Sequence, residues 1–420
     1  MVGTRNARRR TRVCFVAPAI YPALDPLAGI QHIGGMEVQQ KLLGEGLHSL
    51  GYEIHYITRD FGQPDGIRKG CGIVHRTHNG RDGIPGLRFF YPALPALWHA
   101  FRRADADILY VRGSGYLIAL AALFARRHGR RSVFATAHDW DVDPSLRRLP
   151  TRRDEYLYRY GLGRADAVVV QSLHQQQLLE RHHGRRGHLI HSACPEPDAF
   201  LQRGDRRKTV LWVAMFRREK QPLDVVRLAR VFPQYRFVMV GGPAAGQEAL
   251  FHQVQAEARD LPNLNVEGFR AQSQVAQYYS DATVLLNTSC HEGFPNTFLQ
   301  AWSHGLPVLS YVDPDGVIGR HGLGVHATSF EGLCTALPDL VAAAPALAEM
   351  VRAYFRANHS LDNALAAYDR LFTELVCPEG RLACSETDDK PADVNGPKES
   401  HSMVAASSRT TGQSIRARLL

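Results

Sequence analysis

One stretch of this 420-residue chain brings together residue types that could do chemistry: Cys290-His-Glu-Gly-Phe-Pro-Asn-Thr-Phe-Leu-Gln-Ala-Trp-Ser-His-Gly305. Pro295 suits the first turn of a helix, where its missing N–H costs nothing. Gly305 suits the position just past the end, where the backbone turns left-handed. The helix start would leave the N–H groups of Asn296 and Thr297 unpaired at the positive end of the helix dipole, which favours an anion such as phosphate. Glu292 stands just before the helix and Gln300 projects from its second turn. An anion held there would be flanked by two polar side chains able to hold hydroxyl groups. Spacing alone fits a capped surface helix equally well.

The elements that must position these residues follow a repeated order of strand, loop and helix. Residues 12–17 form a short apolar run ended by Pro18, which predicts a buried strand. Gly34-Gly35 precedes a helical segment over 36–50 closed by Gly51, and a strand follows over 52–58. Further strands are predicted at 108–111, 132–136, 167–171 and 188–191, with helices at 115–128, 153–162 and 173–183. After a polar stretch, 195–208, the pattern restarts with strands at 209–214, 237–242, 266–269, 283–287 and 308–311 and a helix at 223–231. Such alternation predicts mostly parallel sheets with helices on both faces.

The fold class expected is therefore α/β, with two Rossmann-like doubly wound domains facing across a cleft. The boundaries expected are 1–200 and 201–348, then helices over 349–376 packing back toward the first domain. A tail over 377–420, rich in Ser, Asp, Gly, Pro and Lys, is expected to be disordered. Ligands bind such sheets at the carboxyl ends of the strands.

Charge is unevenly spread. Residues 1–200 hold 28 Lys+Arg against 18 Asp+Glu, and the remaining 220 hold 22 against 23. The basic half suits an anionic membrane surface or a phosphorylated substrate, although a coding bias toward Arg would produce it too. Nucleic acid is disfavoured, because Arg126-Arg127, Arg130-Arg131, Arg147-Arg148 and Arg152-Arg153 are not interleaved with stacking aromatics. Seven scattered cysteines show neither a disulfide framework nor a Cys-x-x-Cys pair, so a reducing, cytoplasmic compartment is expected. Pro18 and Pro22 interrupt the first apolar run, so no signal peptide is expected. The longest apolar run, 116–125, is half of the roughly 20 residues a spanning helix needs, so membrane contact is expected to be peripheral.

Taken together, Glu292-Gly-Phe-Pro-Asn296, Gln300-Ala-Trp302 and Gly305-Leu-Pro-Val308 resemble the Glu-x7-Glu signature of the retaining glycosyltransferase family 4, of GT-B fold. Further matches fall in order. Gly34-Gly-Met-Glu37 resembles the family's Gly-Gly-x-Glu loop, and Thr136-Ala-His-Asp139 its interdomain His-Asp loop. Ala165-Asp-Ala167 with Val170-Gln-Ser172, Gly241-Gly242 and Tyr279-Ser-Asp-Ala282 complete the set, which spans residues 12 to 375.

The resemblance implies transfer of a sugar from a nucleotide-sugar donor with retained anomeric configuration, and neither cofactor nor metal. Glu292, His138 and Lys220 would be catalytic. Glu292 would sit by the donor sugar hydroxyls and His138 by the reacting sugar or acceptor. Lys220 with Arg217 would neutralise the leaving diphosphate. Gly34, Gly35, Gly293, Phe294, Asn296, Thr297 and Gln300 would bind the donor, and Asp139 and Arg112 the acceptor. Arg112 follows the predicted strand 108–111 and precedes Gly113-Ser-Gly115, a place where it could hold an acceptor phosphate.

Two departures stand out. The family's second glutamate, which hydrogen-bonds the ribose, is Gln300 here, so charge assistance is lost. That loss is roughly the difference between 1.5–3 and 0.5–1.5 kcal/mol per bond. Ala214-Met215 replaces the Gly-Arg of the phosphate loop, and Arg217 or Arg218 would have to supply the guanidinium. The expected acceptor is a glycan or a polyprenyl-phosphate-linked glycan in exopolysaccharide, capsule or cell-envelope synthesis, at the cytoplasmic membrane face. Rival readings are a nucleotide-sugar epimerase of the same fold and a non-catalytic peripheral membrane protein. A metal-dependent transferase would use Asp-x-Asp, but its three occurrences, from Asp105, Asp139 and Asp313, show how little the motif means here. A dinucleotide oxidoreductase would need a glycine fingerprint where Ala17-Pro18-Ala19 stands.

Overall fold

The computed structural model describes residues 10–25, 34–80, 82–85, 87–146, 149–197 and 208–377. Most of the expected linker (198–207), the Arg147-Arg148 pair and the expected disordered tail from 378 onward lie outside the described residues.

The N-terminal sheet contains β1 (Arg12–Val16), β2 (Glu53–Thr58), β3 (Ile67–Lys69), β4 (Gly72–Arg76), β5 (Ile108–Arg112), β6 (Arg131–Ala135), β7 (Ala167–Val170) and β8 (His188–Leu189). Its order is β3-β4-β2-β1-β5-β6-β7-β8, and only β3 runs antiparallel to its neighbour. Around it lie α1 (Tyr21–Leu24), α2 (Gly35–Ser49), α3 (Leu94–Ala104), α4 (Leu117–Arg127), α5 (Arg152–Arg164) and α6 (Leu173–His183). The second sheet contains β9 (Thr209–Val213), β10 (Arg236–Val240), β11 (Leu264–Gly268), β12 (Val284–Asn287), β13 (Val308–Ser310) and β14 (Gly324–His326). It is ordered β11-β10-β9-β12-β13-β14. Its helices are α7 (Pro222–Val231), α8 (Glu248–Ala258), α9 (Gln272–Asp281), α10 (Asn296–Ser303), α11 (Val317–His321) and α12 (Phe330–His359), and α13 (Leu361–Val376) ends the described chain.

The first strand of each sheet is a continuous apolar run because both of its faces are covered. Val13 and Phe15 enter one core layer while Cys14 and Val16 enter the other. Val210 and Trp212 face one layer of the second domain, and Leu211 faces the other. At the end of β10, Gly241 has φ +148°, and a Cβ there would lie 1.8 Å from the Ala214 carbonyl oxygen. Only glycine lets these strand ends come so close. The hairpin β3–β4 and helix α3 were not predicted: 67–76 mixes Arg, Lys, Gly and His with few apolar residues, and Pro92 and Pro95 obscure the helical period that follows.

The expected boundary at 348 falls inside α12 and is corrected. Leu333, Leu337 and Leu340 of this helix lie in one core layer of the second domain, and Val351 and Phe355 lie in the other. By length and composition α12 could cross a membrane, but its Leu333, Leu337, Leu340, Val351 and Phe355 are buried in the fold. The chain crosses to the N-terminal domain at Ser360. Beyond it, Leu365, Tyr368, Leu371 and Phe372 of α13 join the core beside Leu43 and Leu47. Tyr52 Oη donates to Asp369 Oδ1 at 2.7 Å, and Arg131 Nε donates to the Leu375 carbonyl at 2.8 Å.

At this crossing Ser360 pairs with Cys194, close to the other passage between the domains. His359 is buried here among Phe294, Trp302 and Tyr354. Its Nδ1–H donates to the Ser192 carbonyl at 3.1 Å, while Nε2 has no partner. Burial pulls its pKa from 6.5 down to about 3. A histidine held neutral in the fold but free to protonate when unfolded stabilises above pH 6.5, and that contribution is lost as pH falls toward 3. We predict that His359→Asn, which keeps a donor for Ser192, shows a shallower fall in Tm between pH 6.5 and pH 4 than the parent. Parallel acid limbs for the two proteins would contradict this.

Candidate active site

The two parallel sheets turn their carboxyl ends toward one cleft. Loops after β6, β9, β12 and β13 meet there, because doubly wound connections return to the amino edge through helices. From the N-terminal domain come Thr136–Asp139 and the start of α6, and from the second domain Arg217–Lys220, Thr288–Asn296 and Asp313–Gly316. Asp139, Ser172, His174, Glu292, Gly293 and Asp315 line the space between them.

Lys220 and Glu292 are ion-paired, Nζ to Oε1, with only 20% and 12% of their side chains exposed. Ser289 Oγ donates to the same carboxylate oxygen at 2.8 Å. The loops carrying the pair are joined by backbone: Cys290 N–H donates to the Glu219 carbonyl at 2.9 Å, and Thr288 Oγ1 to the Lys220 carbonyl at 2.6 Å. The indole N–H of Trp212 reaches Thr288 Oγ1 at 3.0 Å. A fixed cation thus stands beside a fixed carboxylate, and neither is free to swing into solvent.

Gly293 closes the cleft. A Cβ there would lie 2.8 Å from the Ala137 carbonyl oxygen and 3.3 Å from His138 Cα. The opposing His138 loop is held by Asp141, whose Oδ2 accepts from the N–H groups of Ala137 (2.6 Å) and His138 (3.0 Å), and whose Oδ1 accepts from Ser114 N–H (2.9 Å). Tyr158 Oη binds the Asp141 carbonyl at 2.5 Å. The His138 ring packs against that of Trp140 at a tilt of 39°, with 4.1 Å between ring centres. Burial pulls the His138 pKa down, against the opposing pull of Asp141 and Glu292. The imidazole is therefore neutral at pH 7, able to donate from one nitrogen and accept at the other. Asp139 is pushed up by burial, and its Oδ1 accepts from Gln175 Nε2 at 3.0 Å.

At α10, Pro295 takes the capping position with extended ψ (123°) instead of the first helical position, and the helix runs eight residues. Gly305 follows with φ +73°. Asn296 Nδ2 donates across the cleft to the Gly35 carbonyl at 3.2 Å, so the starts of α10 and α2 face one another, with Gly34 as the cap of α2. Two positive helix ends come together, and both favour an anion between them. Thr297 is half-buried in the first turn of α10. Gln300 Oε1 accepts from Tyr279 Oη at 2.8 Å, and Tyr279 is fully buried. That leaves the Gln300 amide N–H groups as what it can offer a ligand.

Three expected residues stand differently from their predicted roles. The ring of Phe294 is buried against Trp302 and His359, so only its backbone is available to a ligand. Arg112 is drawn into its own domain, with Nη2 donating to Gln171 Oε1 at 2.9 Å and Ser192 Oγ at 3.2 Å. Arg217 is solvent-exposed and pairs with Glu219 at 3.6 Å, apart from the Lys220–Glu292 pair. Each was placed by motif position, which does not reveal where a side chain turns.

The sequence reading missed Asp141 and Asp315. Asp315 Oδ2 and Oδ1 accept from the N–H groups of Leu173 (2.7 Å) and His174 (2.9 Å), capping an N-terminal-domain helix from the other side of the cleft. Its φ of +55° and the left-handed Gly316 set that reach. The Asp-x-Asp pairs were the available signal, but they were weighed as metal ligands. In the fold Asp313 caps Ile318 N–H at 2.8 Å, and Asp105 and Asp107 bind Arg130 at 2.6 and 2.7 Å.

Because both atoms facing Gly293 are backbone, neither can move aside cheaply. We predict that Gly293→Ala lowers turnover by about 10²-fold, the cost of displacing reacting groups by an ångström. Tm should fall by a few degrees at most, the cost of one overpacked contact in a chain of this size. Near-parental turnover would show that the approach is not needed.

Two family models match the chain. "Glycosyltransferase Family 4" covers residues 33–196 and "Glycosyl transferases group 1" covers 207–343. No curated protein matches the sequence. Among solved structures, a sucrose-phosphate synthase from Thermosynechococcus elongatus aligns with TM-score 0.69 and 21% identity over 88% of this chain and 100% of that one. HepE of Anabaena, in complex with UDP and glucose, gives 0.66 and 13% over 87% and 100%. The lipopolysaccharide outer core galactosyltransferase WaaB gives 0.59 and 16% over 87% and 100%. At these identities the likeness is one of fold, and that fold is GT-B.

Proposed function

The chain belongs to the family 4 glycosyltransferases of GT-B fold, and from that premise we propose that it moves a hexose-type sugar from a nucleotide-sugar onto a glycan or polyprenyl-phosphate-linked acceptor. Retention of configuration, independence of metal and action at the cytoplasmic membrane face are parts of this proposal. The observation that carries it is the Lys220–Glu292 pair beside two converging helix starts.

Breaking the bond between sugar and diphosphate puts negative charge on the leaving phosphate. A fixed ammonium and oriented backbone N–H groups stabilise that charge without having to reorganise. In the resting pair Lys220 is neutralised by Glu292. A diphosphate arriving at the helix starts would compete for the ammonium, and the carboxylate would turn to sugar hydroxyls. The neutral His138 opposite Gly293 is placed to accept or donate a hydrogen bond at the acceptor or the reacting sugar. Neighbours of this fold hold UDP and glucose, or ADP and acarbose, which fits donor and acceptor classes of this kind.

With a nucleotide-sugar donor and a sugar acceptor, Lys220→Ala and Glu292→Ala should each lower kcat by about 10²–10³-fold, the usual worth of one fixed electrostatic group. EDTA should leave the parent rate unchanged, and NMR of the product should show the donor's anomeric configuration. Parental rates in both folded variants would remove the assignment, and epimerised donor released without acceptor would favour the epimerase. For Gln300, the resemblance places the ribose within reach. Gln300→Glu keeps an acceptor for Tyr279 and adds charge to the other oxygen, so the nucleotide Kd should tighten about fivefold, or roughly 1 kcal/mol. Calorimetry showing unchanged or weaker binding would place the ribose elsewhere.

A further inference from the structure

Large apolar side chains are exposed in one concentrated place on the N-terminal domain. In the segment 84–91, shortly before α3, Ile84 is 67% exposed, Leu87 55%, Phe90 60% and Tyr91 74%. Among the described residues nothing covers them, yet the turn that carries them is anchored. Phe89 packs edge-on against Tyr116 at 5.1 Å, and the Arg153 guanidinium lies 4.0 Å above its ring. Arg153 belongs to α5, where Arg152, Tyr156 and Arg159 follow one another along a single helical face. Tyr156 is 71% exposed, and both arginines are exposed as well. Arg59, from the loop after β2, is also exposed. Among the described residues, none of Arg59, Arg88, Arg152 or Arg159 is in an ion pair.

These segments follow β2, β4, β5 and β6, so they stand at the same carboxyl edge of the sheet as His138. Aromatic and aliphatic tips ringed by unpaired arginines match the chemistry of a bilayer interface. Rings settle at headgroup level, and each guanidinium meets anionic lipid. A protein partner would need an apolar patch rimmed by acidic residues to match this surface, whereas an anionic bilayer supplies both features at once.

We propose that this surface docks on an anionic bilayer and presents the acceptor side of the cleft to lipid-borne substrate. The inference deepens the membrane-face reading above and rests on it. The test is flotation of the full chain with vesicles of phosphatidylcholine alone or mixed with phosphatidylglycerol, with nucleotide-sugar calorimetry run alongside. The parent should float with mixed vesicles only, and salt should release it. Phe90→Ser with Tyr91→Ser, and separately Arg152→Glu with Arg159→Glu, should each weaken binding about tenfold or more at unchanged Tm and unchanged donor affinity. A parent that does not float, or a serine variant that floats as well as the parent, overturns the docking surface. So does a parent dimer that the serine variant abolishes, since a second copy would then cover the patch. Vesicle binding without donor affinity would leave docking standing and remove the transferase reading instead.

Discussion

Gly293 meets the Ala137–His138 backbone with no room for a single methyl group between them. The rest of the site depends on this approach, since it fixes the distance between residues supplied by two separate sheets. On one side stand Lys220 and Glu292, and on the other His138 and Asp139. Neither loop would hold its position alone. Asp141 spends its whole carboxylate on three backbone N–H groups of its domain, and the opposite loop is joined to the Lys220 turn through Thr288 and Cys290. Rigid loops on rigid sheets let one close contact set the geometry of the cleft.

The electrostatics follow from that enclosure. Burial lowers the pKa of His138 and raises that of Asp139, so on the N-terminal wall of the cleft the charged form of each is disfavoured. The second wall carries a cation and an anion that neutralise one another. Positive field enters mainly from helix ends, which need no counter-ion. Asp315 uses the same device in reverse, placing a carboxylate from one domain on the helix end of the other. The cleft is thus held by polar contacts that can be broken singly, and the crossing at Ser360 is packed with aromatic rings around His359.

Much of this was legible beforehand. Continuous apolar runs such as Val13–Val16 and Val210–Trp212 read as strands buried on both faces, and both are. The helix at Asn296 was readable from Pro295 and Gly305, within one position at its start. Short or mixed segments were not. The β3–β4 hairpin draws its stability from pairing with a neighbour distant in sequence, which no local pattern records. Asp141 looked like one of several aspartates until the fold brought Ser114 and Ala137 to it.

What the sequence determined by itself was the kind of residue at each strand end, the two-domain α/β pattern, and the family that these imply. Those features rest on local periodicity and on side-chain chemistry, which travel with the chain. Only the tertiary structure decided how the side chains are used. It turned Phe294 inward, tied Arg112 to Gln171, left Arg217 in solvent, and gave the oxygen of Gln300 to Tyr279. The helix start at Asn296 keeps Glu292 and Gln300 on either side of it, as the spacing implied. The oxygen of Gln300 is taken by a buried tyrosine hydroxyl, which leaves its amide N–H groups as the donors it can offer.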